Sequence, residues 1–108
     1  DGSQSRDFLY IDDFTESLLK LILLKRKGGE VFNIGYGRCK KIKDIIFMTQ
    51  KKIKKGYPDL GKIKLRQDEN LITYPDTTKI KKTLNWKPKV NFLRGLSKTI
   101  NFYKKNII

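Results

Sequence analysis

Two arginines of this chain stand where an anion could be held. Arg6 follows a loop of small polar residues and precedes an apolar run in the segment DGSQSRDFLYIDDF. Arg66 ends a later apolar segment and is followed by Asp68 and Glu69. A guanidinium group can bind two anion oxygens at once, which the ammonium group of lysine cannot do. Because the chain has 20 Lys but only 5 Arg, these positions are more informative than a basic residue would usually be.

Each of these candidates also has a purely structural interpretation. Arg6 could simply form an ion pair with Asp7 or Asp12, and Arg66 could be an exposed arginine at the end of a strand. Gln4 lies in the same loop as Arg6. Its amide could bond to a base, a ribose or a phosphate, or it could face water.

The remaining motifs predict structure rather than chemistry. The Gly35-x-Gly37 turn lacks the third glycine of a dinucleotide fingerprint, so we expect these glycines to serve the backbone. Tyr36 and Lys40 have Tyr-x-x-x-Lys spacing, but their glycine-rich setting indicates a chance match. With a single cysteine and no histidine, a zinc site is nearly excluded. We predict no catalytic residue, cofactor-binding residue or metal ligand in this chain.

Apolar periodicity predicts three short strands and four helices in the order β-α-β-α-β-α-α. The predicted strands cover residues 6–11, 31–34 and 62–66. The predicted helices begin near Asp12 and Asp13, at Ile42, after Asp76 and after Asn91. Three brief strands under four helices make a poor sheet, so we expect the end of an α/β protein whose main sheet lies elsewhere.

The first predicted helix should be well buried, because its apolar stripe is wide. It should end over Lys25–Lys27, before Gly28 and Gly29. Asp13 is predicted to be a helix cap, and Trp86 to anchor the core.

The composition is strongly basic, with a net charge of +14, which invites a nucleic-acid interpretation. However, the lysines are spread over separate helical segments, and abundant Lys, Ile and Asn without Ala is what AT-rich codon usage would produce. No apolar run approaches the length of a membrane span. We therefore expect a soluble, cytoplasmic protein without an export signal.

Four segments occur in the order and at about the spacing of one enzyme family: DGSQSRDFLYIDD, GEVFNIGYG, YPDTTKIKKTLNWKP and FLRGLSKTINFY. Over essentially its whole length, the chain resembles the C-terminal portion of the NAD-dependent nucleotide-sugar epimerases and dehydratases. These form the extended short-chain dehydrogenase/reductase group. The resemblance implies an α/β fold, namely the C-terminal part of a Rossmann-type enzyme with its small substrate-binding lobe, spanning residues 1–108.

The resemblance also implies roles for particular residues. Arg6 and Arg66 match the two arginines that bind the diphosphate of the NDP-sugar. Glu69, or Asp68 after a one-residue shift, matches an acidic residue on the ribose side, where the family prefers aspartate. Gln4 is a further candidate on the nucleoside side.

Further implications concern the complete enzyme. Its glycine-rich NAD loop and its catalytic Tyr-x-x-x-Lys are not in this sequence, so NAD binding and hydride transfer would belong to a preceding part. The complete enzyme is expected to be a homodimer without a membrane partner.

Two alternatives remain at this stage. The chain could be a free-standing basic α/β module that binds nucleic acid, or it could be an inactive, truncated remnant.

Overall fold

The computed structural model describes residues 1–26 and 28–107. In that part of the chain it contains three strands, β1 (Ser5–Asp7), β2 (Cys39–Lys41) and β3 (Ile72–Thr73). It also contains four helices, α1 (Ile11–Leu23), α2 (Ile42–Ile53), α3 (Thr78–Leu84) and α4 (Phe92–Asn106). The predicted α/β class and order of elements are confirmed. The prediction that α1 ends over Lys25–Lys27 was wrong for Lys25 and Arg26, because the helix already ends at Leu23. Lys27 lies outside the described residues.

β1 is the central strand of the small sheet, whose order is β2-β1-β3. It pairs with β2 in the antiparallel sense and with β3 in the parallel sense. Arg6 lies in the middle of β1, opposite Lys40 on one side and Thr73 on the other. The sheet therefore fixes the backbone of Arg6 from both edges.

Two of the three strand predictions were wrong in position. Residues 31–34 and 62–66 form no strand, whereas Cys39–Lys41 and Ile72–Thr73 do. In the first segment, the Lys79 ammonium donates to the Val31 carbonyl at 2.9 Å and lies 4.5 Å from the centroid of the Phe32 ring. Local apolar character did not select the strands, because a strand forms only where another strand can pair with it.

The helix caps follow the sequence more closely. The Asn91 side chain accepts from the backbone N–H of Arg94 at 2.9 Å, so the predicted cap of α4 is confirmed. Asp76 accepts from the N–H of Thr78, the first residue of α3, at 2.9 Å. Asp13, however, is not a cap. It lies inside α1, is 2% exposed, and accepts from the backbone N–H groups of Lys89 and Val90 at 3.0 and 2.9 Å.

α1 is much less buried than its sequence predicts. Its buried residues are Asp13 and Ser17, whereas Ile11, Ile22 and Leu23 are 61%, 77% and 78% exposed. The buried apolar residues of the described chain are Ile80, Trp86, Val90 and Ile100, none of which belongs to α1. The prediction of a buried α1 was wrong because α3, although it contacts α1, leaves most of the apolar stripe of α1 exposed.

The overall dimensions agree with an incompletely covered core. The chain measures 49 × 39 × 19 Å, with a radius of gyration of 16.6 Å, whereas a compact domain of this length has about 13 Å. Its accessible surface is 8717 Å², against about 6,200 Å² for a compact monomer of this mass. The molecule is a flat slab with many large apolar side chains exposed. Each helix in the described residues is too short or too polar to span a bilayer.

Candidate functional site

The two candidate arginines meet at one carboxylate. Arg6 Nη2 donates to Glu69 Oε1 at 2.5 Å. Arg66 donates to Glu69 Oε2 from Nε at 3.2 Å and from Nη2 at 3.1 Å. Arg6 and Arg66 are sixty positions apart in the sequence, yet their side chains share a single anionic partner. The alternative in which Arg6 pairs with Asp7 or Asp12 is not what the structure contains, since neither is its ion-pair partner.

The burial of this cluster, which we call the Arg–Glu–Arg cluster (Arg6, Glu69 and Arg66), is uneven. The Glu69 side chain is 14% exposed and that of Arg6 is 30% exposed, whereas that of Arg66 is 81% exposed. Arg6 also donates from Nη1 to the Ser5 carbonyl at 2.9 Å, which restrains its guanidinium group. The cluster thus combines a partly buried, restrained cation with a solvated one.

Arg6 also lines an open groove on the β3 side of the sheet, together with Asp7, Asn33, Ile34, Thr73, Tyr74, Pro75 and Asp76. Polar groups on this lining can donate to or accept from a ligand. The Thr78 hydroxyl and backbone N–H both donate to Asp76, which lowers the pKa of its carboxyl from the usual 3.8. Asp76 therefore stays ionised in the groove at neutral pH.

Asp7, next to Arg6 in β1, holds the glycine turn of residues 35–38. Its carboxylate accepts from the backbone N–H groups of Tyr36 at 2.8 Å, Gly37 at 2.6 Å and Arg38 at 3.2 Å. Three converging N–H groups are a typical binding arrangement for an anion. Here the anion is the chain's own carboxylate, so the turn is already satisfied.

Gly35 is required where this turn passes the groove. A Cβ atom at this position would lie 2.4 Å from Pro75 Cγ and 3.1 Å from Asp7 Oδ1. The next glycine, Gly37, adopts a φ of +86°, which side chains disfavour. Both glycines serve the close approach and the backbone angle, in agreement with the sequence interpretation.

Two other predicted site residues lie outside the Arg–Glu–Arg cluster. Asp68 is exposed and forms no ion pair within the described residues, so Glu69 is the acidic residue that contacts the arginines. The backbone carbonyl of Gln4 accepts from the N–H of Ile42 at 2.8 Å. The Gln4 Oε1 atom is buried and has no hydrogen-bond partner within the described part of the chain.

The roles of Asp7 and Asp13 were missed in the sequence. Asp7 could have been found by asking which acceptor satisfies the N–H groups of a Gly-x-Gly turn. Asp13 carries no such signal, because its partners lie 76 and 77 positions away.

The glycine turn of residues 35–38 does not fit the pyrophosphate of NAD. A dinucleotide site needs free backbone N–H groups at a glycine-rich turn, whereas those of Tyr36, Gly37 and Arg38 donate to Asp7. Nor do Tyr36 and Lys40 suggest a catalytic pair, since the Lys40 ammonium lies over the Phe92 ring, 5.2 Å from its centroid.

Comparison with known proteins shows the family. Residues 1–99 match the family model described as GDP-mannose 4,6 dehydratase. UDP-glucuronate 4-epimerase of Thermodesulfobacterium geofontis is 37% identical over 112 residues, which cover 99% of this chain and 32% of that protein. dTDP-glucose 4,6-dehydratase of Escherichia coli is 31% identical over 117 residues, which cover 97% of this chain and 31% of that protein.

Solved structures show the same relationship. A UDP-glucose 4-epimerase from Thermotoga maritima, solved with UDP-glucose, superposes with a TM-score of 0.84 at 29% identity. The match covers 100% of this chain and 34% of that one. A UDP-glucuronic acid 4-epimerase from Bacillus cereus, solved with NAD, superposes with a TM-score of 0.75 at 31% identity, covering 97% and 33%.

An α/β unit that brings two arginines to one carboxylate thus matches one class of enzyme, the extended short-chain dehydrogenases/reductases. Within that class, the chain belongs to the GDP-mannose 4,6-dehydratase family of nucleotide-sugar epimerases and dehydratases. It spans about a third of the length of the relatives it matches. The family match favours the nucleotide-sugar interpretation over the nucleic-acid alternative.

Proposed function

We propose that this chain is the nucleotide-sugar-binding portion of an NAD-dependent epimerase or dehydratase. The observation that carries the proposal is the convergence of Arg6 and Arg66 on one anionic position. A diphosphate spreads its charge over several oxygens, and two guanidinium groups from distant parts of the chain can bind it from two sides. The Thermotoga maritima neighbour, solved with UDP-glucose, supports this ligand class.

In this proposal each polar residue has a binding role. Arg6 and Arg66 bind the diphosphate. Glu69 accepts from the ribose hydroxyl groups, with Asp68 and Gln4 as further candidates on the nucleoside side. The groove between the glycine turn and β3 continues the binding surface. These residues bind and orient the substrate but transfer no proton or hydride.

Catalysis falls to residues outside this chain, in the two thirds of the family's length that it does not match. NAD bound in that part would supply the transient hydride transfer of the reaction. We further propose that the complete enzyme is a cytoplasmic homodimer. Sedimentation velocity of the complete enzyme tests the dimer, and a monomer would contradict it.

A titration of the ¹⁵N-labelled chain tests the binding role directly. UDP, dTDP and GDP should shift the amide resonances of Arg6 and of residues 66–69, whereas uridine, which lacks the diphosphate, should not. Arg6→Ala should abolish most of the UDP response. Equal responses to UDP and uridine, or shifts confined to the lysines of α2, would contradict the proposal.

A further inference from the structure

Glu69 fills the position that a diphosphate would need. Both of its carboxylate oxygens are engaged, Oε1 by Arg6 and Oε2 by Arg66. Arg66 uses its Nε and Nη2 atoms for this contact. That edge of the guanidinium group is one that can bind two oxygens of a phosphate at once. Ligand and carboxylate therefore compete for the same donors.

We propose that Glu69 is an internal anion that a diphosphate must displace, and that it thereby sets the affinity of the site. This inference rests on the proposed function. In the ligand-free chain, the carboxylate keeps two cations together that would otherwise repel each other. On binding, the phosphate oxygens replace it at both guanidinium groups, and Glu69 is released toward the ribose hydroxyl groups.

Displacement begins at Arg66. Its side chain is 81% exposed, so water and salt weaken its pair with Glu69. The Arg6 pair is less exposed, and Arg6 is also restrained by the Ser5 carbonyl, so this contact is exchanged second. The side-chain length of glutamate suits this role, because one carboxylate has to reach both arginines. Aspartate, one methylene shorter, reaches less far.

The test measures the affinity of inorganic pyrophosphate and of UDP for the wild-type chain and three variants. Glu69→Gln removes the charge of the competing carboxylate. Glu69→Asp keeps the negative charge but shortens the side chain. It therefore distinguishes the effect of direct contact with the arginines from the long-range effect of the charge. Glu30→Gln is the matched control. Glu30 pairs with Arg26 at 3.0 Å and with Lys79 at 3.8 Å, and neither partner is in the Arg–Glu–Arg cluster.

Displacement predicts that Glu69→Gln binds pyrophosphate about 3- to 10-fold more tightly than wild type. Glu69→Asp should also bind it more tightly, by a smaller factor, and Glu30→Gln should match wild type. The gain for UDP should be smaller than for pyrophosphate, because UDP loses the ribose contact with Glu69. The ¹³C resonance of the Glu69 side-chain carboxyl should shift when pyrophosphate is added to the wild-type chain.

Equal or weaker pyrophosphate binding by Glu69→Gln would overturn the displacement model. Glu69 would then serve to hold the two guanidinium groups in position for the ligand. In that case the proposed function stands if Arg6→Ala still weakens UDP binding. If wild type and Glu69→Gln both fail to bind pyrophosphate and UDP, the proposed function and the displacement model fail together.

Discussion

Asp7 and Glu69 both accept hydrogen bonds from several N–H groups, but the donors are of different kinds. Asp7 is bound by three backbone N–H groups of a turn whose glycines admit no side chain. Glu69 is bound by two long side chains, one of them largely in water. The first donor set is rigid and the second can move. We infer that the same chemical group is structural in one place and exchangeable in the other.

The largest expected effect is on the rigid side of this comparison. Asp7→Ala leaves three backbone N–H groups of the turn without their acceptor, and we expect the free energy of unfolding to fall by about 3 kcal/mol. Asp7→Asn, which keeps one acceptor oxygen, should cost about half as much. Urea unfolding followed by circular dichroism measures both.

Asp13→Asn is a matched control for Asp7→Asn, because Asp13 also accepts from backbone N–H groups. Both variants should lower stability, but only Asp7→Asn should change UDP affinity. If Asp13→Asn changes the UDP affinity equally, the effect of Asp7→Asn does not come from the position of its turn next to Arg6.

The next largest effect is expected from removing one of the arginine donors that contact Glu69. In a chimaera that joins this chain to the N-terminal two thirds of the Thermodesulfobacterium geofontis epimerase, Arg6→Ala should raise KM. The lost charge-assisted contact corresponds to about 1.5–3 kcal/mol. Because the diphosphate does not react, ground state and transition state lose this contact alike, and kcat should change little.

Arg6→Lys should recover only part of the loss, since an ammonium group cannot bind two oxygens side by side. Arg26→Ala is the control, because Arg26 pairs with Glu30 rather than with Glu69. An unchanged KM and kcat for Arg6→Ala would remove Arg6 from the substrate site.

The smallest effect is expected at Asp76. This exposed carboxylate is intermediate between Asp7 and Glu69, because it accepts from one backbone N–H and one side-chain hydroxyl group. These hydrogen bonds lower its pKa from 3.8 in the folded chain. Its contribution to stability is therefore complete above the unfolded pKa and is lost as the pH falls through the lower, folded value. Asp76→Asn should melt slightly below wild type at neutral pH, and the difference should disappear in strong acid. A difference that stays constant with pH would contradict this assignment.

How much could be predicted from sequence depended on the range of the interaction. α2 and the Asn91 cap of α4 were found because helix periodicity and capping are local. β2 and β3 were not, because Cys39–Lys41 and Ile72–Thr73 are strands only through their pairing with β1. The apolar stripe of α1 was correctly recognised, but periodicity does not reveal whether another element covers it, and in the structure most of it is exposed.

The candidate site shows the same division. Spacing alone could not bring Arg6 and Arg66 together, since the intervening chain contains two helices. Their common position followed from the family resemblance, and their shared contact with Glu69 came only from the structure. The choice of Glu69 over Asp68 is likewise a matter of side-chain direction in a turn, which composition does not reveal.

The shortness of β1 has a consequence for how this protein could evolve. Three residues carry both the cation that faces the groove and the anion that anchors the turn. Sliding the strand by a single position would exchange these opposite charges between the two faces of the sheet. An insertion or deletion here would therefore remove the proposed ligand recognition and the architecture in the same event, whereas a substitution of Arg6 or Asp7 would impair mainly one of them.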